Sequence, residues 1–511
     1  MARVVAVLVC AAPLFAGGAA AGEMHSHPPP ERLGTVTFAT SCADGVSHGF
    51  ERAVALLHSF SYEAAEKAFG DVAASDPTCA MAHWGLAMSQ WTQLWAPPDA
   101  EDLSKGRSEI DRALQLSVRS ERERQFIAAA AAFFRNSGQS AHLVRAKAYE
   151  EAMHQAALSN PKDTESQVFY ALSLLATASP EDRTHANQKR AASILEPIYR
   201  DHPDHPGVAH YLIHAYDSTE LAARGVAAAR AYSKIAPSAP HALHMPSHIF
   251  TRLGLWDDSI ASNIAAQKAA RSQGDVGEEL HAMDYLTYAY IQRGRRNDAQ
   301  QVVASLKNMG ALQGGDFKVG YAATVMPIRL SMEDHQWDAA AALQLLPGSA
   351  PNIAALVYWG RAVGKARGGH PKDADDDIVQ LRKCQQQLQS AGNSYWAKQT
   401  DVLTQEALAW QAAADSRVED AIKALRHAAD EEDAVEKLPL TPGPIVPARE
   451  QLGDLLLTLK QPQPQQALQE YQAALVAAPG RRGALVGAAQ AAEMVGDIQL
   501  ASRLKATLLK D

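Results

Sequence analysis

From Phe50 onward, apolar residues recur three and four positions apart with polar residues between them, which is the signature of amphipathic helix. The pattern comes in pairs. A first helix leads to a short turn containing Gly or a polar residue. A second helix follows, in which an Ala is succeeded four residues later by an aromatic residue or Leu, and the unit often ends at a Pro. Ser61-Tyr62-Glu63-Ala64-Ala65 leads to Phe69 and then to Asp76-Pro77. Arg252-Leu253-Gly254-Leu255-Trp256-Asp257-Asp258 opens another second helix, and Tyr290-Ile291-Gln292-Arg293-Gly294-Arg295-Arg296-Asn297-Asp298-Ala299 a third. Gln466-Ala467 with Tyr471, Ala474 and Pro479 is the clearest late unit, and Gly496-Asp497 with Ala501 closes the series. Helix pairs returning every few tens of residues predict an all-α fold, a right-handed superhelical solenoid. One hairpin cannot bury its apolar stripe alone, whereas a stack can, and the stack leaves a concave groove. The stretches 97–125, 305–325 and 438–447 fit the unit badly.

These units resemble the tetratricopeptide repeat superfamily from about Phe50 to the end. A narrower resemblance, to a group of secreted bacterial tetratricopeptide-repeat proteins without a settled activity, rests on two stretches. One is Leu56-Leu57-His58-Ser59-Phe60 with Asp76-Pro77-Thr78-Cys79-Ala80-Met81-Ala82-His83-Trp84-Gly85. The other is Thr441-Pro442-Gly443-Pro444 with Pro447-Ala448-Arg449-Glu450. The resemblance implies architecture and no chemistry. The expected organisation is a signal peptide at 1–22, a loose polar leader at 23–45, N-terminal repeats at 46–200, histidine-bearing repeats at 201–304, degenerate helical repeats at 305–437 and C-terminal repeats at 438–511.

Composition narrows the partners. With 48 Lys plus Arg against 57 Asp plus Glu, the formal charge is −9. That speaks against nucleic acid, which needs a basic face. Arg3, the apolar run Val4 to Phe15 and Ala19-Ala20-Ala21 have the order of a secretory signal, and the run is too short to span a bilayer. No second long apolar run occurs, so no transmembrane segment is expected. A periplasmic or secreted location follows. In an oxidising compartment Cys42 and Cys79 could pair.

The candidate chemistry is a concentration of imidazole. Eight of the 19 histidines fall between residues 202 and 284. His202 and His205 lie in Asp201-His202-Pro203-Asp204-His205-Pro206, which reads as a turn and is set aside. In the resembled repeats the groove-facing places of the first helix are the second, fifth, ninth and twelfth. Aligned on the turns, His210, His214 and Asp217 take the fifth, ninth and twelfth places of one unit. His241, His244 and His248 take the second, fifth and ninth of the next. His281 and Asp284 take the second and fifth of a third. His210/His214 and His244/His248 are each four apart on one helix, a chelating spacing, and adjacent helices would bring the two pairs to one ion. Imidazole suits copper, zinc, iron or nickel. Asp217 and Asp284 are ligands or orienting partners of an imidazole. Met245-Pro246 is a warning, because Pro breaks or starts a helix and would move His241 and His244 onto a loop.

Tyr211, Tyr285 and Arg329 fall beside this set as ligand-binding candidates, Arg329 for an anionic group. Tyr288 and Tyr321 read as packing. Met81, Trp84 and Met88, His83, and His58 with Phe60 and Tyr62 also read as packing. The acidic runs Asp375-Asp376-Asp377 and Glu431-Glu432-Asp433 read as solvated helix faces. No zinc-protease, nucleophile-elbow or phosphate-loop motif occurs. Three function classes stay open. The first is an exported repeat scaffold binding a protein or peptide in its groove and carrying a transition-metal site. The second is a metal-dependent oxidase or hydrolase. The third is a scaffold without metal.

Overall fold

The computed structural model describes residues 31–94, 97–135, 138, 140–315 and 317–509; the signal-peptide expectation lies outside them. The described residues form helices and connecting turns, with no strand among them. Successive helices pack antiparallel on their neighbours, and alternate helices touch as well: Ser47–His58 meets Tyr62–Ser75 and Ala80–Ser89, and Thr164–Ala176 meets Ala186–Asp201 and Pro206–Tyr216. This is the stacking of an array of helical hairpins. Arg32–Asp511 is one compact unit. No described helix is long and apolar enough to cross a membrane.

The hairpin turns explain why the chain reverses where it does. Gly254 takes φ +68° and Gly294 φ +72°. At the first, Leu255 N–H reaches back to Phe250 O at 2.8 Å; at the second, Arg295 N–H reaches Tyr290 O at 2.8 Å. Both close the preceding helix with a left-handed residue that glycine adopts without steric cost. The first hairpin uses the same turn, with Ser61 N–H bonded to Leu56 O at 3.0 Å, but its left-handed residue is Phe60 at φ +54°. A bulky side chain there is strained.

Residues 31–45 are not a loose leader. Leu33, Val36 and Phe38 are buried, and Phe38 packs within 5.8 Å of the rings of Phe50, Trp84 and Phe126. Cys42 and Cys79 form a disulfide, with Cα atoms 4.7 Å apart. Two runs read as solvated faces are partly internal: Asp377 is buried between Arg361 and Lys365, and Glu432 accepts the Ala448 N–H at 2.9 Å.

The array also turns back on itself. Trp256 Nε1 donates to Gly480 O at 3.1 Å, Arg482 N–H to Gln292 Oε1 at 2.9 Å, and the Cα of Gly254 faces the Pro479 carbonyl. Arg481 is fully buried, bonded to Glu450 and Glu333. The segment 436–447 crosses the concave side. Glu436 pairs with Arg252 at 2.7 Å, Lys437 with Asp217 at 2.9 Å, Pro439 O accepts from Tyr285, and Pro444 O accepts from Arg329. Residues expected to line an open groove, Asp217, Tyr285 and Arg329, are therefore engaged by this segment.

Candidate metal centre

Three first helices carry the histidines: Pro206–Tyr216, the pair Pro240–His244 and Pro246–Arg252, and Val276–Gln292. Pro246 does split the middle helix. Met245 keeps right-handed helical angles (φ −53°, ψ −34°), so the two pieces stay in register and His241 and His244 remain on the inner face. All six histidines are buried, His214 most exposed at 7% and His210 and His244 at 0%.

They do not converge as two pairs on one point. They form two sets of three: His210, His214 and His241, and then His244, His248 and His281. In the first set His210 Nε2 lies 3.1 Å from His214 Nε2 and 3.2 Å from His241 Nε2. In the second, His244 Nε2 lies 3.0 Å from His248 Nε2, and the His281 ring centre is 4.2 Å from that of His244. The sets adjoin, with ring centres 5.9 Å apart between His214 and His248 and 6.0 Å between His241 and His244.

The opposite nitrogens fix the tautomers. His210 Nδ1 lies 2.7 Å from the His58 carbonyl, which only accepts, so that nitrogen holds the proton and Nε2 is bare. His241 Nδ1 faces the Glu278 carboxylate at 3.3 Å, His248 Nδ1 the Asp217 carboxylate at 2.9 Å, and His244 Nδ1 the Asn263 amide oxygen at 2.7 Å. Asn263 is oriented by its own NH₂ donating to Ser259 O at 2.8 Å. His210, His244 and His248 thus carry bare Nε2 atoms. His244 faces His248 with no proton to share between them, and His241 turns its Nε2 to that of His210. Protonation is opposed: burial, then the neighbouring imidazoles, holds His210, His214 and His244 well below the usual imidazole value. Burial likewise takes His248 down to about 4 against the pull of Asp217. Nitrogens around 2.0–2.1 Å from one tetrahedral ion sit roughly 3.3 Å apart, close to the spacing in both sets. The residues present fit a transition-metal ion.

The supporting charges are compensated in turn. Burial opposes the charge on Asp217, yet Lys437 and Arg252 hold its carboxyl well below the carboxylate range. Glu278 is held low by Lys318 and His241 against the same opposition. Burial pushes Lys437 down to about 8 despite Asp217. The ring of Phe60 covers the first set, 4.4 Å from His210, 5.8 Å from His214 and 5.5 Å from His241.

The other candidates separate. Asp217 is an orienting partner of His248. Asp284 is not brought to either set; it lies 3.5 Å from Arg329, and burial pushes its carboxyl up to about 6. Arg329 is fully buried over the Tyr288 ring, so it does not present its charge to a groove ligand. Tyr211 turns away to His58 Nδ1 at 2.9 Å. Tyr285 stays beside the second set, its hydroxyl 3.4 Å from His248 Nδ1 and 3.3 Å from Pro439 O. A cavity of about 500 Å³, walled by Tyr288, Tyr321, Tyr395 and Trp396, has Arg252 and Lys437 in its lining. Both also hold Asp217, so the cavity lies one layer of side chains from His248.

Several participants escaped the pattern. His205 is not a mere turn residue: it caps the Pro206–Tyr216 helix and meets Glu165 at 2.9 Å, while Glu165 also holds His58 at 2.8 Å. His58 thereby becomes the mount for His210. Glu278, one helical turn before His281, was detectable from that spacing. Asn263, Lys318 and Lys437 carried no local signal.

No family model matches the chain, and no curated protein matches it. Solved structures do align. The human IFIT1 dimer with PPP-AAAA is similar over 84% of this chain and 90% of its own, at 12% identity and a TM-score of 0.34. Yeast Tom70 covers 89% and 90% at 12% identity and 0.32. The APC/C hetero-tetramer Cut9–Hcn1 covers 91% and 87% at 12% identity and 0.31.

Proposed function

We propose that this chain is an exported, tetratricopeptide-like scaffold whose enclosed concave side binds transition-metal ions through the two histidine sets. The observation that carries this reading is the convergence of imidazole nitrogens in each set, above all the bare Nε2 atoms of His244 and His248 facing each other inside a buried site. Two lone pairs 3.0 Å apart repel unless a cation stands between them. The anchoring of the four Nδ1 atoms by a carbonyl, two carboxylates and an amide is the second layer that metal-bound histidine requires. The Cys42–Cys79 disulfide and the signal-like N-terminus support an oxidising location, as does the resemblance to secreted bacterial repeat proteins.

The test is metal analysis of untagged protein isolated from the expressing cell's periplasm. Stoichiometric copper, zinc or iron, lost in a His214→Ala/His248→Ala double variant that still gives a helical circular dichroism spectrum, supports the reading. Absence of metal, both as isolated and after incubation with each ion, sinks it and leaves a plain binding scaffold. The aromatic cavity beside His248 favours a second reading, a metal-dependent enzyme whose substrate lies between Tyr288, Tyr321 and Trp396. Screening for turnover by loaded protein, with a Tyr321→Trp variant that fills the cavity as control, separates the two.

A further inference from the structure

The metal reading leaves open how many ions there are and which. Resting on it, we infer that the six histidines hold two ions side by side, one per set, and that the ions are copper in the +1 state.

Count follows from geometry. A single ion would need to draw nitrogens from both sets, yet within each set the facing Nε2 atoms are already spaced for one ion at 3.0–3.2 Å. The anchors hold the sets apart. His210 is fixed by the His58 carbonyl and His241 by Glu278, whereas His244 is fixed by Asn263 and His248 by Asp217. The ring centres that face each other across the boundary are 5.9 and 6.0 Å apart. Two ions so placed are near neighbours, each with three imidazoles.

Identity follows from charge. An imidazole that ligates a metal is neutral and brings no charge, and the carboxylates beside the two sets are already paired: Glu278 with Lys318, and Asp217 with Arg252 and Lys437. Two divalent ions would place four positive charges in a buried site with no spare anion. The cost of burying an ion grows as the square of its charge. Zinc also takes a fourth ligand beyond three histidines. Among the ions that imidazole suits, copper has a stable monovalent form, and three-coordination satisfies it.

The full chain, stripped of metal, is titrated anaerobically with copper(I) buffered by bicinchoninate, with an equal concentration of zinc(II) present. Two equivalents of copper retained per chain, with zinc excluded, is the expected result. His241→Gln and His281→Gln should each keep one equivalent. Loaded wild-type protein is then oxidised with ferricyanide and examined by electron paramagnetic resonance. Neighbouring copper(II) ions give a half-field signal or a spin count well under two. A single equivalent, preferential filling by zinc, or two full-intensity independent signals overturns the inference while leaving the metal reading standing. Retention of no ion at all overturns both. The wild-type count and spectrum decide the matter even if a variant does not fold.

Discussion

At the scale of the residue, a histidine is defined by what its far nitrogen touches. His210 and His248 would look alike in any sequence, but one leans on a backbone carbonyl and the other on Asp217. Asp217 also holds Arg252 and Lys437, so Asp217→Asn leaves two buried cations short of a partner as well as freeing the His248 ring. The expected outcome is a loss of about 3–5 kcal/mol in denaturant unfolding of the metal-free chain, and a 10–100-fold weaker copper affinity by chelator competition. A separate residue sets a pH dependence. Burial pushes the Glu432 carboxyl up from 4.5 to about 7. A raised carboxyl stabilises the fold below the unfolded value and loses that contribution as pH rises through the folded one. Stability attributable to Glu432 therefore falls between about pH 4.5 and 7. Glu432→Gln, which can still accept the Ala448 N–H, should be the more stable protein at pH 8 by on the order of 1 kcal/mol and should show a flatter stability profile below it, as read by urea midpoints.

At the scale of the element, the repeat unit was the part of the fold that could be read directly. Its marks are local: Gly254 and Gly294 supply the left-handed turn, and Ala and aromatic residues sit one helical turn apart. The inward register of the histidines could be read for the same reason, and it survived Pro246 because Met245 kept the helical backbone. The division into two sets of three could not be read. It depends on which way each ring of the middle helix turns, His241 to the histidines of Pro206–Tyr216 and His244 with His248 to His281, which spacing along the chain does not encode. The first hairpin shows a local rule yielding to a tertiary one. Phe60 stands in the position that Gly254 fills elsewhere, and its ring rests on three histidines. Phe60→Gly relieves the backbone strain but opens a cavity. The cavity should dominate at about 3 kcal/mol net destabilisation, and copper loaded into the variant should exchange faster with bicinchoninate than in wild type. The Cys42–Cys79 bond ties the segment holding Phe38 to the third helix. Reduction, or Cys79→Ser, should cost about 2–4 kcal/mol, seen as a lowered thermal midpoint in the presence of dithiothreitol.

At the scale of the whole molecule, the closure of the array had no mark in the sequence. Its contacts join residues far apart in the chain: Trp256 with Gly480, Arg482 with Gln292, Lys437 with Asp217. The stretch 438–447, which reads as an interruption of the repeat, is a segment that packs back against Tyr285 and Arg329. Arg481 takes part in this closure, buried between Glu333 and Glu450. Arg481→Leu leaves both carboxylates facing each other and should cost about 3–5 kcal/mol. In hydrogen exchange, the loss should appear in Val276–Gln292 as well as in the C-terminal helices, whereas an open solenoid would confine it to neighbouring units.

The enclosure bears on traffic as much as on affinity. Among the described residues, the Phe60 ring lies against the first set and the segment 436–447 reaches Asp217 and Tyr285 beside the second, and neither supplies a histidine nitrogen to either set. An atom held there would leave at the pace of chain breathing, whatever the strength of its bonds. Dwell time would then be set by the packing of Phe60 and of 436–447, adjustable without touching a single donor nitrogen.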